Sequence, residues 1–197
     1  MKEEVFSKVN ISVIIPAYNS SKTIKRCINS VINQTEKVDQ IIITNDGSTD
    51  NTLEILLRIK KNNQNINFNI INQTNKGIGS ARNTALKKCT SNFVAFLDSD
   101  DEWHVKKIEE CKRILGNLKN KNLIYHNEVK IINGKKIYRK YGIIRKPEYL
   151  SLIYHGNKLS PSAVIVKYSI LKNSNFFSEN LKYNSAEDYD LWLRILS

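Results

Sequence analysis

Three carboxylates lie within four residues of one another in the sequence, at Asp98, Asp100 and Asp101, with Ser99 between the first two. They directly follow a run of five apolar residues, residues 93–97, which is typical of a strand buried on both faces of a sheet. Carboxylates this close repel one another, and a divalent cation bound by their oxygens would relieve the repulsion. A solvated acidic turn that caps the following helix is the other interpretation. These residues alone leave both interpretations open.

Four apolar runs predict the strands that would position this acidic stretch, and each is followed by a segment with the apolar spacing of a helix. The strands fall at residues 11–15, 40–44, 66–71 and 93–97, and the helices begin near residues 20, 50, 78 and 103. Strands that alternate with crossover helices form a parallel, doubly wound sheet. We therefore predict an α/β fold with a Rossmann-like, mostly parallel sheet flanked by helices. Ligands of such a sheet bind beyond the carboxyl ends of its strands.

The loops after the four predicted strands bring aromatic and polar groups to that edge. They contain Pro16, Ala17, Tyr18 and Asn19 after the first strand, Asp46 after the second, residues 72–76 after the third, and the acidic stretch after the fourth. A ring can stack on a base, a carboxylate can accept a hydrogen bond from a base or a ribose hydroxyl, and a cation can hold a diphosphate. Together these groups suit a nucleotide.

The second part of the chain leaves this alternation. The pair Asn133 and Gly134, between residues 123–132 and 135–140, predicts a β-hairpin because both positions of such a two-residue turn need positive φ. A short helix is predicted after the hairpin, then a further strand at residues 163–166 and a final helix from Ser185. We expect a single domain, residues 1–197, made of one half over residues 1–120 and another over residues 121–197.

The composition restricts the class of protein. The chain has 197 residues, of which 41% are apolar and 25% charged, as in a soluble globular domain. No apolar run is as long as a membrane span, and the first seven residues lack the apolar core of a signal peptide. These features and three widely spaced cysteines predict a cytoplasmic protein. A formal charge of +12 favours a polyanionic partner, such as nucleic acid, anionic lipid or a phosphorylated ligand, or reflects basic residues scattered over a solvated surface.

Five motifs, in the same order along nearly the whole chain, resemble those of family 2 glycosyltransferases of the GT-A fold. They lie at residues 11–19, 45–50, 75–83, 96–101 and 187–192. Each motif is weak by itself, whereas five in the family's order are specific. The resemblance implies an inverting, metal-dependent transfer of a hexosyl or N-acetylhexosaminyl group from a nucleotide sugar, commonly a UDP-sugar, with Mn or Mg as the divalent metal. The first half would then bind the nucleotide sugar and the second half the acceptor.

Carried over position by position, the resemblance also implies site residues. Those assigned to the nucleotide sugar are Pro16, Ala17, Tyr18, Asn19, Asp46, Asn75, Arg82, Asp98 and Ser99. The stretch from Asp98 to Asp100 looks like the family's DxD motif, in which Asp100 would bind the metal that bridges both phosphates. Asp46 would read the base, and Arg82 would border the phosphates.

Asp188 resembles the family's general base, which takes the proton from the acceptor hydroxyl as that hydroxyl attacks. A metal on the diphosphate would spread the negative charge that develops as it leaves. For the neighbouring pair of Glu187 and Asp188 the other interpretation is structural, because acidic residues are favourable at the start of a helix.

We therefore expect an enzyme of surface polysaccharide or lipooligosaccharide synthesis that acts on a glycan, lipid-linked or protein acceptor. Its basic surface suits peripheral contact with the inner face of a membrane, and we expect no nucleic-acid partner. The chain departs from the family pattern because it looks truncated soon after the last motif. The alternative is consequently an inactive nucleotide-binding module or a basic nucleic-acid-binding domain.

Overall fold

The computed structural model describes residues 9–117, 122–142, 144, 148–183 and 185–197. The strands in these ranges are β1 (Ile11–Ala17), β2 (Gln40–Asp46), β3 (Phe68–Gln73), β4 (Phe93–Phe96), β5 (Leu123–Tyr125), β6 (Glu128–Ile132), β7 (Lys135–Arg139) and β8 (Val164–Lys167). The α-helices are α1 (Ile24–Ile32), α2 (Thr52–Asn62), α3 (Ile78–Leu86), α4 (Lys107–Asn117), α5 (Glu148–His155), α6 (Tyr168–Asn173) and α7 (Glu187–Leu196).

Six strands form one central sheet in the order β3-β2-β1-β4-β8-β5. The first four in this order are parallel to one another, whereas β8 runs antiparallel to both β4 and β5. Strands β6 and β7 form a separate two-stranded sheet. The predicted α/β class, with a mostly parallel sheet flanked by helices and a small β-hairpin, is confirmed.

Alternate residues of the central strands point to two hydrophobic cores, one on each face of the sheet. Val13 and Ile15 of β1 pack with residues of α1, α2 and α4 on one face. Ile14 packs on the other face with Leu86 of α3 and Trp192 of α7. Because both faces are covered, the strands are nearly continuous apolar runs, as expected for a buried parallel sheet. The loops at the carboxyl edge are thus held on a rigid base.

The first strand extends further than predicted. Pro16 and Ala17, which we expected in the loop after it, are buried residues of β1 and keep its register with β2. Proline lacks an amide hydrogen and is normally excluded from central strands. On the β4 side the last hydrogen bond runs from the amide of Leu97 to the carbonyl of Ile14. The nitrogen of Pro16 faces β4 beyond the last paired residues of β1 and β4, Ile14 and Phe96. Its missing amide hydrogen therefore breaks no hydrogen bond of the sheet.

The region around the predicted hairpin is also rearranged. The Asn133–Gly134 turn joins β6 and β7 as predicted, with φ of +50° and +76°. Residues 123–125, however, form β5 of the central sheet rather than the start of the hairpin. The helix predicted from residue 103 begins only at Lys107, since the preceding segment is held by Trp103, whose indole Nε1 donates to the carbonyl of Ser162 at 3.0 Å. Helix α6 was not predicted.

Candidate functional site

Tyr18 lies at the carboxyl edge of the sheet, where the loops after β1, β2 and β4 are joined by side-chain hydrogen bonds. Asn19, in the left-handed region at φ +47°, accepts from the amide of Thr49 at 2.8 Å. The hydroxyls of Ser20 and Ser99 lie 2.7 Å apart and link the loop after β1 to that after β4. Tyr18 remains 51% exposed on this edge. The loops therefore form one connected surface with an accessible aromatic ring.

Asp46 is the last residue of β2 and is only 3% exposed. Its Oδ1 accepts from Gln73 Nε2 at 2.7 Å and from the amide of Lys76 at 2.9 Å, and its Oδ2 accepts from the amide of Gly77 at 2.9 Å. A carboxylate has about four acceptor positions, so one on Oδ2 is not used by these contacts. Asp46 fixes the loop that leads from β3 to α3, and its predicted role at the base stays a prediction.

Gly47 brings the loop after β3 against the loop after β2. Its φ is +70°, and a Cβ atom at this position would lie 2.6 Å from the amide nitrogen of Asn75. Only glycine combines this conformation with so close an approach. Asn75 is exposed in this loop, and its predicted contact with the nucleotide stays a prediction.

A buried guanidinium joins two of the predicted motifs. Arg82 of α3 is 1% exposed and donates from Nη2 to Asp98 Oδ1 at 2.8 Å and from Nη1 to Glu187 Oε1 at 2.7 Å. Burial alone would lower the pKa of Arg82, but the two carboxylates outweigh it and raise the pKa, so the side chain is charged. The ring of Phe177 lies 5.1 Å from Arg82 Cζ. The predicted contact between Arg82 and phosphates stays a prediction, since the guanidinium faces these carboxylates.

The acidic loop, residues 98–101, follows β4. Its start is fixed by Arg82 and by Ser162, whose hydroxyl accepts from the amide of Asp98 at 3.0 Å. The backbone of Asp100 is held by Arg26 Nη2, which donates to the Asp100 carbonyl. The Asp100 carboxylate is exposed, and no residue in the described ranges donates a hydrogen bond to it.

This environment fits a hard divalent cation at Asp100, because an exposed carboxylate without protein donors is available as an oxygen ligand. Within the described part of the chain, no three His, Cys, Asp or Glu side chains are grouped so that they could hold a metal ion. Mg²⁺ is commonly held by one or two carboxylates together with the phosphates of a substrate. The residues present thus suit an ion shared with a diphosphate better than a resident metal.

Asp188 lies in the first turn of α7, next to Glu187. Its Oδ1 accepts from the amide of Tyr189 at 2.7 Å, and its Oδ2 accepts from Asn157 Nδ2 at 3.0 Å. Burial raises the pKa of Asp188 despite these two hydrogen bonds and the charge of Arg82, which lower it. A carboxylate with a raised pKa is a stronger proton acceptor once ionised. The arrangement is therefore able to support general-base chemistry.

Several residues around the site were not found from the sequence. Asn157 and Ser162 carry no local signal, since each lies in a loop or turn and reaches the site only through the folded chain. Lys107 is buried, donates from Nζ to the carbonyl of Ser162 at 2.6 Å and lies 3.9 Å from the centre of the Trp103 ring. Burial lowers its pKa to about 7, against the attraction of nearby anionic groups. The position of Lys107 at the start of the amphipathic helix α4 did not predict that its amine is buried.

The doubly wound sheet, extended by antiparallel β8 and β5 and carrying these loops at its carboxyl edge, defines an α/β protein of the GT-A type. The profile of the family described as glycosyl transferase family 2 matches residues 12–174. This chain belongs to glycosyl transferase family 2.

Curated relatives and solved structures agree with this assignment. The chain is 33% identical over 186 residues to the Escherichia coli UDP-Glc:alpha-D-GlcNAc-diphosphoundecaprenol beta-1,3-glucosyltransferase WfgD, covering 94% of this chain and 69% of WfgD. It is 34% identical over 189 residues to Escherichia coli chondroitin synthase, covering 94% of this chain and 26% of that protein. The crystal structure of S. aureus TarS 1-349 in complex with UDP-GlcNAc superposes with a TM-score of 0.75 at 28% identity, covering 95% of this chain and 53% of the TarS 1-349 chain.

Proposed function

We propose that this protein is an inverting glycosyltransferase that moves a sugar from a UDP-sugar to the hydroxyl of a glycan or lipid-linked acceptor. The observation that carries the proposal is the double ion pair of Arg82. It holds Asp98 of the acidic loop and Glu187 at the start of α7 on one guanidinium. This support for the proposal is that one guanidinium connects the loop that carries Asp100 to the helix start that carries Asp188.

The donor would lie along the carboxyl edge of the sheet. The exposed ring of Tyr18 offers a stacking surface for the base, and the unused acceptor position of Asp46 could receive a base N–H. Pro16 and Ala17 would form the floor of this pocket from the end of β1, while Asn19, Asn75 and Ser99 provide polar contacts around it. WfgD is named for UDP-Glc, and TarS was solved with UDP-GlcNAc, which supports a uridine nucleotide.

Asp100 would hold a divalent Mn or Mg ion together with the two phosphates of the donor. When bound, such an ion stabilises the negative charge that develops on the departing diphosphate. Arg82 fixes the Asp98 carboxylate and Ser162 fixes the Asp98 amide, so Asp98 and the backbone that leads to Asp100 need little reorganisation when the donor binds.

Asp188 would take the proton of the acceptor hydroxyl as the hydroxyl oxygen attacks the anomeric carbon. The new carbon–oxygen bond forms while the bond to the diphosphate breaks, which inverts the configuration without an enzyme nucleophile. The hydrogen bond from Asn157 orients the carboxylate, and burial keeps its basicity high.

The acceptor class and the location belong to the same proposal. WfgD is named for an acceptor linked to diphosphoundecaprenol, a lipid carrier. In the described part of the chain, no helix is long and apolar enough to cross a membrane. We propose that the enzyme works in the cytoplasm, in peripheral contact with the inner membrane face, with no nucleic acid as partner.

The test measures nucleotide binding through the increase in thermal stability that a bound nucleotide causes. Nucleoside diphosphates and nucleotide sugars are screened with Mn, with Mg or with a chelator. A ligand at a hundredfold excess over its Kd should stabilise the native state by about 2.7 kcal/mol. We expect the largest shift for a uridine nucleotide with metal, and its loss in Asp100→Ala. Glu102→Gln, which removes another exposed carboxylate two residues away, should keep it. A chain that no nucleotide stabilises would contradict the proposal.

Transfer itself distinguishes the enzyme from a binding module. The active chain should release UDP only when a suitable acceptor is supplied, and Asp188→Asn should lower turnover by at least about a hundredfold while leaving donor binding intact. Donor binding without transfer to any lipid-linked or glycan acceptor would identify the chain as an inactive nucleotide-binding module.

A further inference from the structure

The β6–β7 hairpin is exposed on both faces and lies apart from the two cores. In its register Val129 pairs with Tyr138, and Ile131 with Lys136. Directly opposed residues of an antiparallel pair share a face, so three of these four side chains make one face of the hairpin apolar. Val129, Tyr138 and Ile131 are 47%, 70% and 65% exposed. Adjacent apolar side chains that are this exposed commonly mark a site of interaction with a partner or a membrane.

The same hairpin is strongly cationic. Its basic residues and the one that follows β7 are Lys130, Lys135, Lys136, Arg139 and Lys140, all exposed, against a single carboxylate, Glu128. The hydroxyl of Tyr141 donates to Glu128 and occupies one of its oxygens. The distal end of the hairpin therefore presents positive charge beside apolar side chains.

We propose that the β6–β7 hairpin is the surface by which this protein binds an anionic lipid bilayer. The proposal extends the membrane contact in the proposed function. Lysines near an anionic bilayer are attracted to its headgroups, and apolar side chains such as Ile131 and Tyr138 can enter the boundary between headgroups and acyl chains. The hairpin supplies both kinds of group on a stretch of 13 residues, Glu128 to Lys140.

The charges and the apolar side chains favour a lipid surface over two other candidate partners of the hairpin, a second copy of this chain and nucleic acid. A second copy paired through the apolar face would bury Lys136, the lysine that shares this face, against apolar side chains or against the Lys136 of the other copy, and a buried charge without a partner is costly. Nucleic acid would satisfy the lysines but would leave the aliphatic side chains of Val129 and Ile131 in water. Of these three candidate partners, the bilayer is the one that accommodates both the lysines and the apolar side chains.

The base of the hairpin lies beside the candidate site. Glu128, the first residue of β6, is within electrostatic reach of the buried amine of Lys107. Lys107 donates to the carbonyl of Ser162, and Ser162 in turn fixes the acidic loop through the amide of Asp98. A hairpin held on a bilayer would therefore keep the acidic loop close to the membrane surface, where a lipid-linked acceptor is presented.

Vesicle co-sedimentation of the 197-residue chain, without nucleotide, tests the proposal. We expect binding to vesicles of phosphatidylglycerol and phosphatidylethanolamine that weakens with salt, and little binding to phosphatidylcholine. Lys135→Gln with Lys136→Gln should lower the partition coefficient roughly tenfold to thirtyfold. Ile131→Ser should lower it about fivefold to tenfold.

Matched controls lie on α2, away from the hairpin. Lys60→Gln with Lys61→Gln removes the same charge, and Leu57→Ser removes a side chain that is 53% exposed. Both should bind vesicles like the unaltered chain. Equal losses in control and hairpin variants, or equal binding to neutral vesicles, would overturn the proposal.

Two further outcomes would also overturn it. The first is a dimer in sedimentation that the hairpin variants dissociate, and the second is binding of duplex DNA through the hairpin by a chain that does not bind vesicles. Nucleotide-induced thermal shifts are measured on the same variants and should be unchanged, because the substituted side chains are exposed and lie toward the turn of the hairpin, away from its base at Glu128. Failure of membrane binding is thereby distinguished from failure of the proposed enzyme activity.

Discussion

Arg82 donates from Nη1 to Oε1 of Glu187 at 2.7 Å, although 105 residues separate the two in sequence. The same guanidinium holds Asp98 through Nη2. One oxygen of the buried Glu187 and the Nε of Arg82 have no partner among the described residues, so the pair depends on its ionic contacts. The first turn of α7, which carries Asp188, is thus fixed relative to the acidic loop.

We expect Arg82→Met to lower the free energy of unfolding by about 3–5 kcal/mol, because it leaves Glu187 charged and buried without its partner. Urea denaturation measures this change. Adding Glu187→Gln should recover part of the loss, since the buried carboxylate is then removed as well. Arg58→Met is the control: its ion pair with Glu54 is exposed and should contribute less than about 1 kcal/mol. Equal losses in Arg82→Met and Arg58→Met would contradict the structural role of Arg82.

Asp188 gives a prediction for the pH dependence of transfer. A general base acts when deprotonated, so activity should be lost as pH falls through its pKa, which burial raises. Asn157 donates to Asp188 and lowers that pKa. In Asn157→Ala the acidic limb of kcat/KM should therefore move to higher pH. A loss of activity that is equal at every pH would show that Asn157 supports the loop without tuning the carboxylate.

The features that could be predicted from the sequence are those that depend on residues close together in the chain. Continuous apolar runs predicted β1 to β4, apolar residues at helical spacing predicted the helices that follow these strands, and the Asn133–Gly134 pair predicted the turn of the hairpin. The acidic loop was recognised because its carboxylates are adjacent in sequence. Each of these signals is contained within about ten residues.

Relationships across the fold could not be predicted in this way. Glu187 was noted only as part of a helix start, yet it binds Arg82 from the other half of the chain. Asp46 was expected to face a ligand, and local spacing could not show that Gln73, Lys76 and Gly77 all donate to it. The placement of β5 in the central sheet depends on pairing with β8, which follows it by about forty residues in sequence.

Lys107 gives a prediction for stability against pH. Its pKa falls from 10.5 to about 7 on folding, so between these values the unfolded chain binds more protons than the folded one. Stability should therefore rise with pH across this window and should gain nothing from Lys107 below pH 7. Lys107→Met should flatten the rise in urea denaturation, whereas Lys106→Met, at the exposed neighbouring lysine, should retain it. An unchanged slope in Lys107→Met would show that its amine is charged in the folded protein.

Gly47 and Gly134 offer a matched pair of substitutions, because both have φ above +65° but only Gly47 is crowded. Gly134→Ala should cost about 1–2 kcal/mol from the left-handed backbone alone. Gly47→Ala should cost more, since its Cβ would lie 2.6 Å from the amide nitrogen of Asn75. The displaced Asn75 loop should also weaken the thermal shift produced by nucleotide, which Gly134→Ala should leave intact. Equal unfolding free energies and equal nucleotide shifts in the two variants would mean that the approach of Gly47 to Asn75 does not shape the donor site.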